Sequence, residues 1–121
     1  MITALDHIAI AVPDLEGAIA RFLEDFGLQH DGNEVVEAAQ TTTAFFSVPE
    51  THIELVHPLD GAGPIATYLE KRGGGLHHLC FRTDDIDADV ERLRADSREN
   101  ATARATLEPQ RAASAAGRPP R

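Results

Sequence analysis

The sequence predicts an α+β fold made of two copies of one structural module, with the second copy apparently truncated. Residues 7–15 align with residues 78–86 at a constant offset of 71. A repeat of this length is typical of fused structural modules. The hydrophobic pattern of the first copy follows the order β-α-β-β-β. Each copy carries a histidine at its first aligned position, His7 and His78. Paired ligands that face one cavity are therefore expected.

The composition favours a single domain that is not a nucleic-acid or membrane protein. The chain has 121 residues and a net charge of −9, which disfavours general binding to nucleic acid. No apolar run approaches the roughly 18–20 residues that a membrane span needs. The N-terminus enters an apolar strand pattern directly, without the basic region of a signal peptide, so we expect a cytoplasmic protein. The single cysteine excludes an intrachain disulfide framework.

The first module is predicted to span about residues 1–62. Residues 2–12 are predicted to form a strand, and a helix follows from Asp14, its predicted N-cap, to about Phe26. Further strands are expected near 34–39, 42–48 and 51–57. Alternation along the first strand places a set of mostly small residues on the face of His7 and places Asp6 on the opposite face. That arrangement leaves space beside the imidazole.

The partial second module is predicted to span about residues 63–96, which completes a domain of residues 1–96. A helix at about 64–71, a strand at 76–82 and a helix at about 84–95 are expected. The repeat requires three more strands, but residues 97–121 are rich in Ala, Arg, Ser and Pro, and Leu107 is their only large aliphatic residue. Such a segment buries too little apolar surface to offset its ordering entropy. We therefore predict a disordered Ala/Arg-rich tail, with a weak helix as the alternative.

The candidate metal ligands are His7, Glu54 and His78. A single strand histidine is more often a hydrogen-bonded core residue than a ligand, but repetition at equivalent positions favours a shared role. Glu54 is a carboxylate in the middle of an apolar strand, where burial without a partner is costly; the alternative is a solvated face. Two imidazoles and a carboxylate suit one divalent ion such as Co²⁺, Mn²⁺, Zn²⁺ or Ni²⁺.

Three further histidines, His30, His52 and His57, have no support from the repeat and are predicted to be structural. His52 shares its parity with Glu54 and could lie near it, but it has no equivalent in the repeat. His77 is adjacent to His78 in a predicted strand, and strict alternation would place it on the opposite face.

Several segments resemble the methylmalonyl-CoA epimerases of the vicinal-oxygen-chelate superfamily, which includes glyoxalase I. The resemblance covers about residues 4–95. It is carried by Leu5-Asp-His-Ile-Ala-Ile-Ala-Val-Pro-Asp-Leu, by Ile53-Glu-Leu-Val-His-Pro-Leu, by Pro64-Ile-Ala-Thr-Tyr-Leu-Glu-Lys-Arg-Gly-Gly-Gly-Leu-His-His and by the Asp84-Asp-Ile helix. The third segment is the specific one, because it separates these epimerases from other members of the superfamily.

The resemblance implies paired βαβββ modules that form a cup around one divalent metal ion. His7 and His78 match the two histidine ligands, and Glu54 matches a position that supplies an oxygen ligand. The implied enzyme is a racemase or epimerase that removes and returns the proton at C2 of methylmalonyl-CoA through an enolate. An acyl-CoA substrate and a homodimer are also implied. The acid and base residues are not identified.

The resemblance also implies a final glutamate ligand on the last strand of the second module. Offsetting Glu54 by the repeat gives position 125, and the chain ends at Arg121. We therefore expect an incomplete ligand set and a doubtful activity.

Two alternatives stay open. One is another vicinal-oxygen-chelate reaction, of the glyoxalase or dioxygenase type, which the Gly-Gly-Gly-Leu-His-His run disfavours. The other is a non-catalytic binding module that dimerises, because an incomplete sheet leaves unpaired strand edges.

Overall fold

A computed structural model of the protein describes residues 1–96 and 104–109 and confirms the predicted α+β class. Within these residues six strands combine with three α-helices and two short helical turns. In chain order the elements are β1 (Ile2–Ala11), α1 (Leu15–Ala20) with a π-helical turn (Arg21–Asp25), β2 (Gln29–Val36), a 3-10 turn (Glu37–Ala39), β3 (Thr41–Val48), β4 (Thr51–Pro58), α2 (Pro64–Arg72), β5 (Gly75–Thr83), α3 (Ile86–Asp96) and β6 (Arg104–Pro109).

The strands form one sheet in the order β2-β3-β4-β1-β5-β6. The two repeat-related strands, β1 and β5, pair antiparallel at its centre. On their outer sides β4 pairs parallel with β1, and β6 pairs parallel with β5. The two modules are therefore arranged with approximate two-fold symmetry about the β1–β5 pair, and the repeated histidines lie on neighbouring strands.

Helix α1 covers one face of the sheet. Asp14 caps it as predicted, accepting a hydrogen bond from the backbone N–H of Gly17 at 3.1 Å. The apolar stripe of the helix packs on a buried cluster in the sheet, which contains Val12, Ala44, Phe46 and Leu55. This face is the main hydrophobic core, and burial of its aliphatic and aromatic surface is the principal stabilising contribution.

Helix α2 covers only one end of the opposite face. Its buried residue Ile65 packs against Ala11 and Val56, with Tyr68 and Leu69 beside them. Since His7, Ala9 and Ala11 alternate along β1, this is the face that carries the predicted ligands. The remainder of this face, next to α2, holds polar and ionisable side chains instead of a second apolar core.

Strand β2 differs from its prediction. It spans Gln29–Val36 instead of 34–39, and residues 37–39 form the 3-10 turn. β2 is an edge strand, and its extent is set by antiparallel pairing with β3, with a register shift between His30 and Gly32. The first residues of β2 are polar, so the sequence shows no alternation of apolar and polar residues there. The strand forms because its backbone groups pair with β3.

The structure also corrects the predicted tail. Arg104–Pro109 forms β6, so the expectation of disorder does not hold for these six residues. The edge of β5 offers backbone donors and acceptors, and a strand with little apolar content pairs with them in parallel register. Residues 97–103 and 110–121 lie outside the described part of the chain, and the domain boundary at residue 96 stays a prediction. No described helix has the length and apolar character needed to cross a membrane.

Candidate metal centre

The sheet register brings the three predicted ligands to one face. Ala9 pairs with Glu54 on β4 and with His78 on β5, so these side chains project from the same side of the sheet. His7 precedes Ala9 by two residues and therefore shares that side. The centre is built on three adjacent strands, which hold their side chains more rigidly than loops would.

His7 and His78 face each other edge to edge. Their Nε2 atoms are 3.2 Å apart, and their rings are nearly perpendicular, with an interplanar angle of 80°. Two imidazoles bound to one ion at about 2.0–2.1 Å place their nitrogens about 3.0–3.4 Å apart. The observed separation fits two ligands of a shared divalent ion, so these two residues could hold a metal.

Glu54 lies at the other edge of the His7 ring. Its Oε2 is 2.6 Å from His52 Nε2 and 3.5 Å from His7 Nδ1. The Glu54 side chain is only 12% exposed, which excludes the solvated-face alternative. Glu54 and His78 thus contact opposite ring nitrogens of His7, and the three predicted ligands form one cluster centred on His7.

His52 is a member of this cluster, although its sequence context predicted a structural role. It is 1% exposed, and its ring centroid lies 5.0 Å from that of His7. The sequence did contain one indication of this: His52 and Glu54 are two residues apart in β4 and so project from the same face. Repeat symmetry gave no support, because the position of His52 has no equivalent among the repeated residues.

Asp6 also belongs to the cluster, whereas strand alternation predicted the opposite face. Leu5 pairs with Phe81 and His7 pairs with Cys80, so Asp6 is an extra residue in β1 at this point. Such a β-bulge re-aims a side chain. Asp6 Oδ2 consequently lies 2.8 Å from His7 Nδ1, and Asp6 Oδ1 accepts a hydrogen bond from Arg82 Nη2.

A second bulge corrects the prediction for His77. Ala9 pairs with His78 and Ile10 pairs with Leu76, which leaves His77 as the extra residue in β5. Its Nδ1 lies 2.8 Å from the Nδ1 of His78, so the two rings are neighbours and do not point to opposite faces. The Tyr68 ring of α2 contacts His77 at a centroid distance of 4.9 Å.

Two groups of three potential ligand atoms lie within 4.8 Å of one another in the described residues. One group is Asp6, His7 and Cys80, and the other is His7, His52 and Glu54. His7 belongs to both groups and also contacts His78. The imidazole of His7 is therefore the centre of the site.

The second module places a threonine at the register of Glu54. In the first module Glu54 pairs with Ala9, and the repeat equivalent of Ala9 is Cys80, which pairs with Thr106 of β6. The sequence repeat had put this position at residue 125. The structural equivalent comes earlier because the connection from α3 to β6 is shorter than the corresponding connection in the first module.

Comparison with known proteins places the chain in a family. Residues 6–112 match the Glyoxalase/Bleomycin resistance protein/Dioxygenase superfamily. The chain belongs to this superfamily.

Within it, the chain is similar to methylmalonyl-CoA epimerases, which are isomerases. It is 43% identical over 95 residues to the ethylmalonyl-CoA/methylmalonyl-CoA epimerase of Cereibacter sphaeroides, covering 78% of this chain and 71% of that protein. It is 40% identical over 91 residues to the mitochondrial methylmalonyl-CoA epimerase of Homo sapiens, covering 74% of this chain and 52% of that protein. The methylmalonyl-CoA epimerase structure from Mycobacterium tuberculosis aligns with a TM-score of 0.76 and 29% identity, over 95% of this chain and 93% of that chain. The chain thus spans about half the length of the human relative.

Proposed function

We propose that this chain is a metal-dependent epimerase of the methylmalonyl-CoA type. The observation that carries the proposal is the approach of two buried or half-buried imidazoles from the two modules, with Nε2 atoms 3.2 Å apart. The epimerase relatives supply the substrate class, an acyl-CoA with an acidic C2–H between a thioester and a carboxylate.

The ligands that we propose for a divalent ion are His7 and His78, with Glu54 as the nearby carboxylate donor. Nitrogen and carboxylate donors of this kind suit Co²⁺, Mn²⁺, Zn²⁺ or Ni²⁺. When bound, the ion would stabilise the negative charge that develops on the thioester oxygen as the C2 proton leaves. The protein supplies the rest of the environment: β1, β4 and β5 hold the ligands on one rigid face.

The neighbours of the ligands orient them. His52 Nε2 lies 2.6 Å from Glu54 Oε2 and holds that carboxylate beside His7. His77 Nδ1 lies 2.8 Å from His78 Nδ1, which leaves the Nε2 of His78 directed toward His7. Such outer partners set the tautomer and orientation of metal ligands. Phe45 is buried, and its ring centroid lies 6.1 Å from that of His52, so an apolar ring borders this end of the cluster.

The proposal is tested by following exchange of the C2 proton of methylmalonyl-CoA into heavy water by NMR. Exchange is expected with the purified chain, at a low rate because Thr106 stands at the register of Glu54 in the second module. It is expected to stop on addition of EDTA and to return with one of the four metals. His7→Ala and His78→Ala are expected to abolish exchange and to lose bound metal. His57→Gln is the matched control, since His57 lies on β4 but hydrogen-bonds the Val12 carbonyl instead of the cluster.

Metal-independent exchange would refute the metal role, and metal retained in both alanine variants would refute the ligand assignment. Absence of exchange in a metal-loaded wild-type chain would refute the epimerase assignment. The homodimer and the cytoplasmic location stay predictions.

A further inference from the structure

We infer that Asp6, held by Arg82, is a positioning residue that fixes His7 in the Nδ1-protonated tautomer and so directs its Nε2 lone pair toward His78. This inference rests on the proposed metal site for its functional meaning. The tautomer itself is a property of the metal-free protein and is measured separately.

The geometry of Asp6 is specific for this role. The bulge in β1 turns its side chain onto the face of His7, where it is 1% exposed and lies 2.8 Å from Nδ1. A buried carboxylate without a cation is costly. Arg82 supplies that cation through a hydrogen bond from Nη2 to the second oxygen of Asp6. Asp6 thus forms an ion pair with Arg82 through one oxygen and presents the other oxygen to Nδ1 of His7.

An ionised carboxylate only accepts hydrogen bonds, so the atom of His7 that faces it must carry a proton. The neutral His7 ring then has its hydrogen on Nδ1 and a lone pair on Nε2. That lone pair points at the Nε2 atom of His78, 3.2 Å away, where a cation or a proton is needed between the two nitrogens.

Asp6 also separates the roles of two nearby carboxylates. Glu54 approaches the same nitrogen of His7, but its Oε2 is 3.5 Å away, beyond the 2.8 Å contact of Asp6. Asp6, and not Glu54, is therefore the carboxylate placed to accept the proton of His7 Nδ1.

The inference is tested with Asp6→Asn, which keeps the size of the side chain and removes its charge. Imidazole ¹⁵N NMR of the metal-free wild type, at a pH where the ring is neutral, is expected to show His7 protonated at Nδ1. Asp6→Asn is expected to lose this preference and to bind Zn²⁺ or Co²⁺ about 10–100-fold more weakly by calorimetry. Arg82→Gln is expected to shift both readouts in the same direction. Asp87→Asn is the control, because Asp87 is an exposed carboxylate on α3.

If Asp6→Asn fails to fold, the ¹⁵N NMR measurement of the His7 tautomer in the wild type still tests the inference. A wild-type His7 protonated at Nε2 would overturn the inference, and so would equal metal affinity in folded Asp6→Asn and wild type. If His7 is protonated at Nδ1 but the wild type binds none of the four metals, the proposed function fails and the tautomer assignment stands.

Discussion

Replacing Gly74 with alanine is expected to destabilise the fold and to disturb the start of β5, the strand that carries His78. Gly74 has a φ of +128°, and a Cβ built on it would lie 3.1 Å from the Ala11 carbonyl oxygen. That oxygen belongs to the backbone of β1, so it cannot turn away as a side chain would. The close approach of the two strands at this point therefore requires glycine.

The neighbouring Gly73 is a matched control. It caps α2 with a φ of +77°, and a Cβ there would meet no atom within 4 Å. Alanine in the left-handed region costs about 1–2 kcal/mol, and the lower entropy of the unfolded chain offsets about 0.4–1 kcal/mol. Gly73→Ala is thus expected to lose about 1 kcal/mol. At Gly74 the rarer backbone region costs about 1–3 kcal/mol, and the displaced carbonyl adds to it, so a loss of about 2–3 kcal/mol is expected.

Urea denaturation followed by circular dichroism measures this difference. With a slope of about 1–3 kcal/mol per M, Gly74→Ala is expected to lower the midpoint clearly more than Gly73→Ala. Calorimetric metal titration provides the functional readout, since displaced residues at the start of β5 move His77 and His78. Equal midpoints for the two variants would show that the contact between Gly74 and Ala11 does not constrain the fold.

Three further predictions concern stability. Phe46→Ala removes a fully buried ring whose centroid lies 5.6 Å from that of Phe22, in the turn after α1. Denaturant titration is expected to show a loss of about 3–5 kcal/mol in the free energy of unfolding. A loss below 1 kcal/mol would contradict the core assignment. The Thr83 hydroxyl and then the terminal amine lower the pKa of Asp89 to about 2. Above pH 3.8, the ordinary pKa of the group, the ionised carboxylate stabilises the fold, and this contribution disappears as the pH falls toward 2. The melting temperatures of wild type and Asp89→Asn are therefore expected to converge between pH 3.8 and pH 2. A difference that stays constant across this interval would disprove the linkage. Asp14→Ala removes the N-cap of α1 and is expected to cost about 1 kcal/mol in thermal denaturation, while an unchanged melting temperature would show that the cap is dispensable.

Much of the fold follows from local sequence patterns. The apolar stripe and Asp14 cap predict α1, and the glycine run ends α2, because helix signals are local and periodic. The repeat is sufficient to identify His7 and His78 as equivalent positions. β2 was misplaced, because an edge strand with polar residues takes its bounds from the partner with which it pairs.

The repeat failed beyond α3 for a related reason. A constant offset relates equivalent positions only where both copies have connections of equal length. The connection from α3 to β6 is shorter than the one from α1 to β4. The sequence therefore placed the equivalent of Glu54 past the end of the chain, whereas backbone pairing assigns that register to Thr106.

By itself, the sequence determined that two modules each contribute one histidine at an equivalent position, and it singled out Glu54 as a carboxylate in the middle of an apolar strand. The pairing of β1 with β4 and β5 then brought Glu54 to the face of the two histidines, because side-chain alternation relates residues only within one strand. Only the tertiary structure decided that Asp6 and His77 join the cluster. Both are extra residues at bulges, and a bulge exists only relative to the register of the neighbouring strand. The contact of Asp6 with Arg82 likewise joins residues 76 positions apart, which only the pairing of β1 with β5 brings together.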